Sequence, residues 1–156
     1  MIDSDNRDIR GVLITVTDGR LLLPNASVAE VISYSEPEQV ENAPGWLPGR
    51  VRWRGWRLPV VSFARLAGLA ESEREFGAKV AVIKLLGGNS KLPYFALLTQ
   101  GFPRLVTVSR DALLAAEDGN LPLGVARKVM LNEDVALIPD LATLEMLLKD
   151  ALASAA

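Results

Sequence analysis

The sequence predicts a mainly β fold, and three observations carry that prediction. Apolar residues recur at alternate positions over short segments throughout the chain, the two-residue period of a pleated strand. Clusters of Gly, Pro, Asn and Asp punctuate these segments at short intervals, as turns do in barrels and sandwiches. A sustained helical spacing of leucines occurs at the C-terminal end, after Asp140.

Arg10–Val16 is the first expected strand, with Val12, Ile14 and Val16 alternating with Leu13, Thr15 and Thr17. Asp18-Gly19 follows as a hairpin turn, because both residue types accept positive φ. Arg20–Leu23 is the return strand, stopped by Pro24. Ser27–Tyr34 holds Val28, Val31 and Ile32, a spacing that fits a short helix or a twisted strand equally. Ser35–Asn42 is acidic and polar and reads as a loop.

Gly49–Phe63 reads as a second hairpin. Arg50, Arg52 and Arg54 alternate with Val51 and Trp53, which puts the arginines on one face, and Arg54-Gly55 is the tight turn. Leu58, Val60 and Val61 fall in the return strand, where Pro59 indicates an edge or a bulge. Phe63–Leu69 is expected to form one or two helical turns with Gly68 as the cap. Lys79–Leu86 and Leu92–Leu98 are paired strands joined by the turn Gly87-Gly88-Asn89-Ser90. Arg104–Val108 is a third strand after the break at Gly101-Phe102-Pro103. Gly124–Leu131 and Val135–Ile138 form a further hairpin about Asn132-Glu133-Asp134. Asp140 is the N-cap of a last helix, Leu141 to about Leu152, with Leu141, Leu144, Leu147, Leu148 and Leu152 on one stripe. The stripe is expected to cap a barrel, an oligomer contact being the other use of such a face. The small-residue tail Ala151–Ala156 should fray. The charged stretch Glu71–Gly77 marks two β lobes, with residues 71–78 as the linker inside one domain of residues 1–156.

Composition removes several function classes. The chain has 156 residues, 17 Lys and Arg against 19 Asp and Glu, a net charge of −2, and neither Cys nor His. Disulfide and thiol chemistry are excluded, as are the commonest general base and metal ligand. Ser27 and Ser62 lack a histidine base, so a Ser-His triad is impossible. Met1–Arg10 is acidic and polar, unlike a secretory signal. No window approaches the roughly 18 apolar residues that a spanning helix needs. These facts lead to the expectation of a cytoplasmic protein without catalytic residues, metal or cofactor.

Three patterns invite a sharper reading. Arg50, Arg52, Arg54 and Arg57 interleave with Trp46, Trp53 and Trp56, a basic aromatic patch of the kind that grips single-stranded nucleic acid. A net charge of −2 gives that reading no supporting field. A hairpin with one solvated face accounts for the alternation, and Trp and Arg clusters also make protein-binding hot spots. Gly87-Gly88-Asn89-Ser90 lacks the Gly-Lys-Ser/Thr ending of a phosphate loop and sits between strands. Glu133-Asp134 and Glu71, Glu73 and Glu75 read as solvated loop charge, since no calcium-loop pattern accompanies them.

One block is specific. Leu23-Pro24 precedes Val28-Ala29-Glu30-Val31; then come Ala43-Pro44-Gly45-Trp46-Leu47-Pro48-Gly49, Arg54-Gly55 and Leu58-Pro59-Val60-Val61-Ser62-Phe63. In order and spacing this block, over residues 10–70, resembles the CheW-like domain of chemotaxis coupling proteins. The resemblance implies two intertwined SH3-like five-stranded β-barrels with a groove between them, a few short helices and a C-terminal helix. It implies a non-catalytic adaptor that joins a chemoreceptor's (methyl-accepting protein's) cytoplasmic tip to the regulatory domain of a CheA-type histidine kinase. Such an adaptor is cytoplasmic, recruited to membrane-associated receptor arrays without inserting in the membrane, and binds no nucleic acid. By position, Val28, Glu30, Gly49 and Arg54 become the expected partner contacts, and the aromatic patch adds Trp46 and Trp56. The family also offers Arg54 a structural role, through hydrogen bonds to backbone carbonyls of the barrel.

The chain departs from the family at two places. Ser62 stands where an Asp follows Pro-Val-hydrophobic. Phe95-Ala96-Leu97-Leu98-Thr99-Gln100-Gly101-Phe102-Pro103-Arg104 replaces a Gly-hydrophobic-hydrophobic-Val-Asp step. Both departures resemble the divergent adaptors of systems controlling type IV pili and twitching motility.

Overall fold

The computed structural model describes residues 8–73, 78–111, 120–131 and 134–155. Its strands are β1 (Asp8–Val16), β2 (Gly19–Pro24), β3 (Val28–Ser33), β4 (Gly49–Trp53), β5 (Trp56–Val61), β6 (Ala78–Lys84), β7 (Tyr94–Gln100), β8 (Arg104–Ser109), β9 (Val125–Leu131) and β10 (Asp134–Pro139). Among the described residues they are accompanied by helices α1 (Phe63–Leu66) and α2 (Leu141–Ala155). The strands form two five-stranded sheets, ordered β8-β1-β2-β10-β9 and β3-β6-β7-β5-β4.

The chain begins in the first sheet, builds the second with β3 to β7, and returns to the first with β8 to β10. The crossings fall where backbone pairing is broken. Pro24 ends β2 and a single 3₁₀ turn, Asn25–Ser27, redirects the chain. Gly101, at φ 85°, and Pro103 lead from β7 to β8. The segment 71–78, expected to link the lobes, therefore does not lie between them. It joins α1 to β6, and β5 and β6 belong to one sheet, with Ala78 already inside β6. Charge marked a loop there, but charge does not report which sheet the next strand joins.

Three apolar clusters follow from strand alternation. The largest lies between the sheets: Val12, Ile14, Val16 and Leu21 come from one sheet, Val61, Ile83, Phe95 and Leu97 from the other. Phe63 and Leu66 of α1 and Leu144 and Leu148 of α2 complete it. Leu13, Leu22, Val108, Val129 and Ala136 fill the far face of the first sheet. Val51, Leu58, Val60, Val80, Val82, Ala96 and Leu98 fill that of the second. The leucine stripe of α2 packs on the shared core, with Leu141, Leu147 and Leu152 at its margin, so the helix seals the seam between the sheets. Asp140 Oδ1 accepts the Thr143 N–H at 3.1 Å, which makes it the N-cap.

Local expectations shift in informative ways. The first hairpin turns on Thr17-Asp18, with Asp18 at φ 60°, and Gly19 already pairs with Val16. Glycine serves at 19 for a different reason, since a Cβ there would lie 2.9 Å from Leu69 Cδ1. Likewise Asp134 pairs with Leu131 inside the ladder, and residues 132 and 133, the remainder of that expected turn, lie outside the described set, as do Arg74–Gly77 and Ala156.

Pro59 sits on neither an edge strand nor a bulge, because β5 lies between β4 and β7. Arg50, opposite Pro59, directs its N–H and C=O away to Glu38, at 2.8 Å each. Pairing with β7 begins only at Val60. No neighbour asks Pro59 for the donor it lacks.

Ser27–Tyr34 resolves as the strand β3, with an irregularity in its pairing to β6. Val28 faces Ile83 and Glu30 faces Val82, so Ala29 is an extra, exposed residue. Ile83 belongs to the shared core and Val82 to the core of the second sheet. The bulge thus turns Glu30 onto the face opposite to that of Val28.

Candidate functional site

The second sheet is open in hydrogen-bonding terms, with β3 and β4 as its edges. Side chains bring those edges together. Glu30 on β3 accepts the Trp53 indole N–H at 3.1 Å and the Arg54 Nη2–H at 2.9 Å, both on Oε1. A single carboxylate oxygen thereby clamps the end of β4 to β3, and the sheet curls into a barrel.

The β4–β5 turn fixes the geometry of that clamp. Arg54 and Gly55 both have positive φ, 47° and 83°, the backbone of a two-residue turn whose twist matches the flanking strands. Trp53 and Trp56 face each other across the turn. Tyr94 at the start of β7 meets both rings edge-on, with centroids 5.0 Å from Trp53 and 6.3 Å from Trp56. Arg54 extends over the Trp53 ring at 5.2 Å. Its side chain stays 71% exposed against 37% for Glu30, and Trp56 is 37% exposed.

Such an exposed ion pair contributes little to stability, about 0–1 kcal/mol. Its effect is positional: the guanidinium is held at the tip of a rigid hairpin beside two tryptophans and a tyrosine. Arg and Trp are the side chains that most often dominate protein-binding energetics.

The six residues singled out from sequence fall into two groups. Glu30, Arg54 and Trp56 come together. Val28, Gly49 and Trp46 do not join them. Val28 packs at the margin of the shared core, on the other face of β3. Gly49 is a close-approach position, because a Cβ there would run into the Glu38 carbonyl, and residue 38 bridges to Arg50. Trp46 packs against the shared core and its carbonyl accepts the Ser62 N–H at 2.9 Å; it fastens the loop before β4. Arg54 donates to the Glu30 carboxylate, whereas the structural role that the family offers beside partner contact runs to backbone carbonyls.

Sequence reasoning passed over Trp53 and Tyr94 as site residues. The place of Trp53 beside a two-residue turn was legible; that of Tyr94, far along the chain, was not. The arginine row is also less free than its spacing implies. Arg57 Nη2 lies 3.6 Å from Glu38 Oε1, so two of its members, Arg54 and Arg57, carry carboxylate partners.

No helix among the described residues is long and apolar enough to cross a membrane. No curated protein matches this sequence in a direct comparison. The fold has a close counterpart in the crystal structure of the scaffolding protein TtCheW from Thermoanaerobacter tengcongensis. That match has a TM-score of 0.70 at 13% identity and covers 85% of this chain and 84% of that one. At the level of sequence pattern, the model of the CheW-like domain matches residues 10–146. Two five-stranded sheets around a shared core, the clamped Arg-Gly hairpin and a pattern match over most of the chain agree: this chain belongs to the CheW-like domain family.

Proposed function

We propose that the chain is a non-catalytic adaptor that couples chemoreceptors to a CheA-type histidine kinase. In this reading the tip of the second sheet, with Arg54, Trp56 and the Glu30 clamp, is a partner-docking face. The observation that carries it is the clamp: Glu30 and Trp53 hold Arg54 in one exposed geometry, so little side-chain freedom is lost when a partner engages it. Signal then passes as a shift between packed arrangements of receptor, adaptor and kinase, with no covalent step in this chain. The departures at Ser62 and in β7 favour the branch of adaptors that serves type IV pili and twitching. The protein would work in the cytoplasm, recruited to receptor arrays.

Titration calorimetry against the kinase regulatory domain from the same organism tests the proposal. Saturable one-to-one binding is expected, weakened at least about tenfold by Arg54→Ala, a loss of about 1.4 kcal/mol, and untouched by Glu71→Ala. Absence of binding at about 100 μM, or equal affinity of both variants, overturns it. Salt-sensitive binding of a single-stranded oligonucleotide with quenching of Trp fluorescence would assign the hairpin to nucleic acid instead.

A further inference from the structure

The seam between the sheets carries a polar cluster built on one carboxylate. Glu73 Oε1 accepts the Thr17 hydroxyl at 2.7 Å, and Oε2 accepts the Ser62 hydroxyl at 2.5 Å. Gln100 Nε2 lies 3.4 Å from both Glu73 Oε1 and Thr17 Oγ1. Thr17 belongs to the β1–β2 turn of the first sheet, while Ser62 follows β5 and Gln100 ends β7 of the second. Thr17, Ser62 and Thr99 of β7 are among the few buried polar residues of the described set, at 5%, 1% and 1% exposure. Ser62 also accepts the Arg65 N–H as the N-cap of α1. Ser72 and Glu73 form part of the wall of a cavity of about 220 Å³ whose other sides include Tyr34, Arg65 and Leu98.

We propose that Glu73 is a latch: its carboxylate pins residues 71–73 as a strap across the seam and couples the β1–β2 turn to the β5–α1 corner. Among the described residues Thr17, Ser62 and Gln100 all donate to the carboxylate, so each oxygen has at least one donor. Thr17 and Ser62 bond to opposite oxygens of the same group, so a movement of one is felt by the other through Glu73. Releasing the latch leaves the shared apolar core in place but frees the strap and opens one wall of the cavity. The device goes beyond partner docking, which lies at the far tip of the second sheet.

Hydrogen exchange of the full chain with its variants tests it. Glu73→Ala is expected to speed exchange about tenfold or more both in residues 15–20 and in residues 60–66. Glu73→Gln, which keeps the shape and part of the hydrogen bonding, should speed both by less. Thr17→Val and Ser62→Ala should show non-additive effects on the denaturation midpoint in the wild-type background and additive ones in Glu73→Ala. Acceleration confined to residues 71–73, or additivity of the Thr17 and Ser62 variants with Glu73 present, overturns the latch.

Discussion

In the first sheet the antiparallel triple β8-β1-β2 meets the β10–β9 hairpin through a parallel contact, Leu137 beside Leu21. In the second, β3-β6-β7 meets the β5–β4 hairpin through a parallel contact at Val60–Ala96 and Val61–Leu97. The plan is the same and the closure differs. The edges of the first sheet share an apolar cluster, with Val106 and Val108 of β8 beside Val129 and Leu131 of β9. Those of the second also share one, with Ile32 of β3 and Val51 of β4, and are joined besides by Glu30, Trp53 and Arg54 at the surface. Buried methyl groups stabilise the fold and offer nothing to a partner. An exposed clamp contributes little stability and presents a guanidinium and aromatic rings. One topology thus closes on apolar packing alone in one half and adds an exposed clamp in the other, the face proposed above for docking.

The largest test asks whether the two halves are separable at all. Phe63 is fully buried in the core that both sheets share. Phe63→Ala should cost about 3–5 kcal/mol and lower a single denaturation transition; two separated transitions would show that the sheets unfold independently. Next in size is Gly49→Ala, which drives a methyl group into the Glu38 carbonyl. A loss of about 2 kcal/mol or more is expected by urea denaturation, and a neutral result would remove the close-approach role assigned to Gly49.

The contrast itself is sharpened by Val129→Ala and Arg54→Ala, measured together. The first removes buried methyl groups from the edge of the first sheet and should cost about 2 kcal/mol, independent of salt. The second should cost less than about 1 kcal/mol, a difference that shrinks in 1 M NaCl because the pair is exposed. Equal stability losses in the two variants would mean that the clamp is structural after all.

Much of this was legible in the sequence for local reasons. Arg54-Gly55 between two tryptophans specifies its turn, and Asp140 with its leucine stripe specifies a capped helix. What stayed hidden was non-local. Val28, Val31 and Ile32 mimic a helical spacing because Ala29 is an extra residue in a strand, and only pairing with β6 shows it. The charged stretch after α1 reads as a boundary because sequence order conceals that β5 and β6 share a sheet. Ser62 and the β7 segment stood out separately as departures from the family pattern. That Ser62 and Gln100 converge on Glu73 is a fact of folding alone.

The irregularity at Ala29 has one more consequence. β3 carries a frame, as a coding sequence does. Up to Val28 its inward positions belong to the shared core, and from Glu30 onward the parity is reversed. Most single substitutions in the strand alter one side chain, whereas pairing every residue in strict alternation, with no bulge at Ala29, would put Glu30 on the face of Val28 and aim its carboxylate into hydrocarbon. In this strand the number of residues is as much a part of the specification as their identity.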